Sequence, residues 1–149
     1  MDDQAIKATL QEAITTLQHE EATILTFDVS ERTICACLAA ILKRTFEDYS
    51  VHVEYNRHGV YPKEIELPDS NGELTSARIF PDIIVHRPGD NDANLLVIEV
   101  KKTTNPLKDE LDMMKLQQIK QQIGYEFAAF LRLPTGSDSS PDDLHVVWI

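Results

Sequence analysis

Asp82, Glu99 and Lys101 are the residues whose types and spacing best suit chemistry in this chain. Glu99 and Lys101 stand two apart at the end of the run Leu95-Leu96-Val97-Ile98-Glu99-Val100-Lys101-Lys102, which reads as a strand. Two residues apart on a strand means one shared face, with Val100 turned the other way. A strand apolar on both faces for four residues is expected at the centre of a sheet. An acid and a lysine buried there without partners would cost several kcal/mol (on the order of 2–7). The strand end is therefore expected to open into a cleft. Asp82 lies on the preceding strand, and a turn near 88–92 places it about as far from the turn as Glu99. Two carboxylates held close repel, and a hard divalent cation converts that repulsion into a binding site. The expected chemistry is phosphodiester hydrolysis with Mg²⁺ on Asp82 and Glu99 and the Val100 carbonyl as a further oxygen ligand. Lys101 would orient water or stabilise charge on the phosphate.

The elements that must position these groups can be read from periodicity. Residues 3–19 carry Ala5, Ile6, Leu10, Ala13, Ile14 and Leu17 at three- and four-residue steps, a helical pattern. A second helix is expected over 30–46, capped by Asp28 or Ser30, with Ile34, Leu38, Ile41 and Leu42 inward. Glu31 falls in its first turn, where the helix dipole favours a carboxylate and where it could also hold a metal-bound water. Val51 to Tyr55 alternates like a strand, and Glu54 on it is a second candidate acid, read first as an exposed strand residue. Residues 56–77 form a long excursion with a hairpin turn expected at Asn71-Gly72. Strands follow over 79–86 and 95–102, then a helix from Asn105-Pro106 to about Ile123 with Gly124 as its C-cap. Strands over 127–133 and 144–149 complete the chain. This order predicts a single α/β domain over 1–149, a sandwich around a mixed sheet.

Pro81-Asp82 followed by Glu99-Val100-Lys101, in that order of elements, resembles the PD-(D/E)xK nuclease superfamily with its restriction-endonuclease-like fold. The resemblance covers roughly residues 28–133, including Ser30-Glu31-Arg32, Val53 to Arg57, and Asp112 with Lys115-Leu116. It implies a three-layer sandwich with a central mixed sheet flanked by helices. It implies a Mg²⁺-dependent nuclease site, with Mn²⁺ as substitute, built on Asp82, Glu99 and Lys101. Glu31 would be the helix acid, and Lys115 or Gln118 auxiliaries on the later helix. The superfamily also contains inactive and structural members, so a binding or regulatory subunit with the same fold is the alternative.

Bulk properties set limits on these expectations. The net charge of −11 argues against a passive nucleic-acid coat, which gains affinity from a broad basic face. DNA, in preference to RNA, would be bound through metal and a local strip drawn from Arg57, Arg78, Arg87, Lys102, Lys108, Lys115 and Lys120, or with help from a partner protein or a second copy in a homodimer. An isolated Glu99–Lys101 ion pair on the surface is the plain alternative for those two residues. His52, His58, His86 and His145 show no ligand spacing, and Trp148 reads as core. Cys35 and Cys37, two apart on a helix, suit neither a disulfide nor a metal. No membrane span or secretory signal is read, so a cytoplasmic protein is expected.

Overall fold

A computed structural model describes residues 1–56 and 63–149. The expectations for Arg57 and His58 lie outside the described residues. Helix α1 spans Asp3–Glu20, a short α2 spans Ala22–Thr26, and α3 spans Glu31–Thr45. Ser30 is the cap of α3, with its hydroxyl accepting from the Thr33 N–H at 3.3 Å. Among the described residues seven strands follow: β1 Ser50–Val53, β2 Glu64–Pro68, β3 Leu74–Arg78, β4 Ile83–Arg87, β5 Asp90–Lys102, β6 Phe127–Leu133 and β7 His145–Trp148. Helix α4, Glu110–Ile119, lies between β5 and β6 and runs on into a π-helical turn, Lys120–Gly124.

Five strands form one mixed sheet in the order β1-β4-β5-β6-β7. Only β5 and β6 run parallel, because α4 carries the chain back across the sheet between them. Alternation along β5 divides the core into two layers. Leu96, Ile98 and Val100 pack with α1 and α3, whereas Val97 packs with Leu116, Ile119 and Ile123 on the α4 side. The chain is thus α/β, with helices on both faces of a mixed sheet. Trp148 joins the α1–α3 layer, as its reading as core requires. Among the described residues, no helix is long and apolar enough to cross a membrane.

Strands β2 and β3 form a separate hairpin beside α4. The turn falls where Asn71-Gly72 predicts it, and Gly72 takes the left-handed φ of 80° that a side chain would resist. Ile65 anchors the hairpin in the α4-side core. Lys63, just ahead of it, is 1% exposed, and its ammonium donates to the Tyr55 carbonyl at 3.1 Å and sits over the Tyr55 ring. Burial pushes its pKa down to about 8. His52 and His86 meet nearby at 2.8 Å, and burial pushes His86 down to about 4. This buried polar cluster has no signature in residue spacing.

Several element boundaries differ from expectation. β5 starts at Asp90 rather than 95, so the turn expected near 88–92 is confined to Pro88-Gly89. β1 stops at Val53 because Glu54 turns into the left-handed region, φ 54°. β4 starts at Ile83 rather than 79, so Asp82 sits just ahead of the strand. α4 starts at Glu110 rather than Asn105, and the Arg132 guanidinium ties down the segment before it through the carbonyls of Lys102, Asn105 and Leu107. Residues 103–109 remain a loop.

Candidate active site

The β4–β5 register pairs Ile83 with Ile98, which carries Asp82 opposite Glu99. Two hydrogen bonds lock the acids in place. The Val100 N–H donates to Asp82 Oδ2 at 2.8 Å, and the Asp82 N–H donates to Glu99 Oε1 at 3.3 Å. The two carboxyls also lie within hydrogen-bonding reach of each other. Burial, then the Asp82 charge, pushes Glu99 well above the usual carboxylate range. Burial also raises Asp82, against the hydrogen bonds that favour its ionised form. Both carboxyls are thus pushed toward the protonated form by burial, Glu99 the more strongly.

Lys101 lies on the same face as Glu99, with its side chain 8% exposed. Its ammonium donates to the Lys108 carbonyl at 2.9 Å and to the Asp112 carboxylate of α4. Two of its three donors are thereby spent. Glu31 arrives from the opposite layer at the end of the sheet. Its Oε1 accepts from the Lys102 N–H at 3.1 Å and from Asn105 Nδ2 at 3.0 Å. A cleft of about 490 Å³ exposes Glu31, Asp82, Glu99 and Lys101 together, with Leu107 and Leu111 at its edge. Two smaller hollows share its walls. One, about 210 Å³, holds Glu31, Glu54 and Asp82, and the other, about 270 Å³, runs from Glu99 to Lys115 and the hairpin.

Glu54 lies off the strand end and is exposed, with Arg32 at 3.5 Å and its N–H donating to the Pro81 carbonyl at 3.0 Å. Lys115 lines the hollow that reaches Glu99. Gln118 accepts from Gln122 at 2.9 Å, and Gln122 in turn holds the hairpin through Glu66, so Gln118 braces a wall. Of the basic strip, Arg78, Lys108 and Lys115 line these hollows. Lys102 turns away to Asp28 at 3.1 Å, Lys120 caps the Ile149 carbonyl, and Arg87 covers Tyr49. In the sequence Asp112 entered only through the family resemblance and Asn105 only as a helix start, and Arg132 had no role. Nothing in their spacing marks them, since each meets its partner through tertiary folding.

The donor set suits a hard cation. Asp82 and Glu99 offer adjacent buried oxygens whose mutual repulsion a divalent charge would relieve. Among the described residues no three His, Cys, Asp or Glu side chains cluster at ligand distance.

No model of a protein family matches the chain, and no curated protein matches it. A solved structure, that of SSO0001, is similar at 17% identity over 96% of this chain and 73% of its own, with a TM-score of 0.37. A likeness at that level carries no argument about function.

Proposed function

We propose that the cleft is a Mg²⁺-dependent phosphodiesterase centre, with Mn²⁺ as substitute, that hydrolyses nucleic acid, DNA in preference to RNA. The chain would then be a member of the PD-(D/E)xK superfamily with a restriction-endonuclease-like fold. The observation that carries this reading is the convergence of Asp82, Glu99, Lys101 and Glu31 on one cleft from three separate elements. The bound cation would neutralise the scissile phosphate and acidify the attacking water. Asp82 and Glu99 would hold that cation, which would favour their ionised forms. The Val100 N–H fixes the Asp82 carboxylate, and the Val100 carbonyl is the remaining protein ligand proposed. Lys101, held by Lys108 and Asp112, keeps one N–H donor for water or phosphate. Glu31 orders the strand end through Lys102 and Asn105.

Asp82→Ala and Glu99→Ala are each expected to abolish Mg²⁺-stimulated cleavage of plasmid and single-stranded DNA while circular dichroism stays unchanged. Undiminished cleavage in both variants would end the assignment. The Lys101–Asp112 pair supports a second reading, in which the same fold serves as a binding or regulatory subunit without turnover. Calorimetry with Mn²⁺ separates the two readings. No heat of binding, together with no cleavage of DNA or RNA, would favour the subunit.

A further inference from the structure

The hollow of about 270 Å³ beside Glu99 has mixed walls. Leu67 and Ile79 from the hairpin side and Ile119 from α4 give it an apolar part, and Asp112 joins Glu99 as a second carboxylate in it. Phe80 also lines it, and its side chain is 59% exposed. Other large apolar residues are as exposed, Phe27 among them, but of these aromatics Phe80 is the one that borders the acid pair. Pro81 separates it from Asp82 and restricts the chain between them. Two residues span at most about 7 Å, so the ring stays close to the acid. Arg78 and Lys115 supply positive charge to the same hollow. Glu99 belongs to both spaces, so whatever sits on the acid pair continues directly into this hollow.

We propose that this hollow takes an unstacked nucleobase on the Phe80 ring, so that the strand to be cut enters the cleft single-stranded or with a base splayed out. The inference rests on the phosphodiesterase reading of the adjoining cleft and adds the substrate class. The volume lies at the small end of ligand sites, enough for a ring system and too small for a helix or strand of a partner. A base inside a duplex has both faces covered by its neighbours, so only an unstacked base can lie on Phe80. Arg78 and Lys115 then meet phosphates on either side of that nucleotide.

The test measures binding apart from cleavage. A fluorescein-labelled single-stranded DNA and a blunt duplex of the same sequence are titrated by anisotropy in Ca²⁺, with probe integrity checked on a gel. The single strand is expected to bind at least tenfold more tightly than the duplex. Phe80→Ala should weaken single-strand binding by about five- to a hundredfold, the usual effect of losing a stacking platform. Phe80→Trp should restore it, and duplex binding should not change. Because Phe80 is exposed, neither variant threatens folding. Equal or better duplex binding, or single-strand binding indifferent to Phe80→Ala, overturns the proposal. So does sedimentation showing a dimer that Phe80→Ala dissociates, since a second copy would then fill the hollow. Cleavage with Phe80-independent binding sinks this inference alone, and Phe80-dependent binding without any cleavage sinks the phosphodiesterase reading alone.

Discussion

The Asp82–Glu99 pair is the residue-scale feature with the sharpest energetic consequence. Glu99 in the folded protein holds its proton to a higher pH than in the unfolded chain. Between the ordinary carboxylate value and that raised value, the native state binds more protons than the unfolded state. Stability therefore falls as pH rises through the window and is regained on acidification, with a slope of at most about 1.4 kcal/mol per pH unit for one proton. The expected outcome is that, in EDTA, the protein melts at a higher temperature near pH 5.5 than near pH 8. Glu99→Gln, which is neutral at every pH, should raise the melting temperature at pH 8 and flatten this dependence. Mg²⁺ should stabilise the wild type and not the variant. A melting temperature that rises steadily with pH in EDTA would show that burial does not hold Glu99 protonated.

At the scale of elements, the loop after β5 decides how Lys101 and Glu31 are presented. Arg132 on β6 grips it through three main-chain carbonyls and the Asp109 carboxylate, the latter at 2.9 Å. The same loop supplies Lys108 to Lys101 and Asn105 to Glu31. Arg132→Lys keeps the charge, but a single ammonium cannot span four acceptors. It should cost about 1–3 kcal/mol in urea denaturation. Amide exchange should accelerate over residues 103–109 while β4 stays protected. Uniform protection across that loop would mean that it is held by other contacts. The helix expected from Asn105 was a reasonable reading of local pattern, since Leu107, Leu111 and Met114 recur at helical steps. The segment before Glu110 is instead held as a loop by contacts with a residue 25 or more positions away.

The whole molecule carries a net charge of −11, and among the described residues of the expected strip Arg78, Lys108 and Lys115 line the hollows. Binding to single-stranded DNA should release few counterions. At about 0.7 per neutralised phosphate, three cations imply a log–log salt slope of about −2. A slope steeper than about −4 in anisotropy titrations would point to a wider basic surface than these residues provide.

Much of this architecture was legible in sequence because it is written in local periodicity. The helical repeat of Ile6, Leu10 and Leu17, the two-sided apolar run of β5 and the Asn71-Gly72 turn each depend on neighbours a few residues apart. The pairing of Asp82 with Glu99 was also within reach, because one short turn joins their strands. Tertiary structure alone decided the rest. It placed Asp112 against Lys101, turned Lys102 away to Asp28, buried Lys63 among aromatic rings and left Phe80 in water beside the acids. None of these is a local event. Each depends on which side chain of a distant element reaches a given point, and that is set by how layers pack rather than by spacing along the chain.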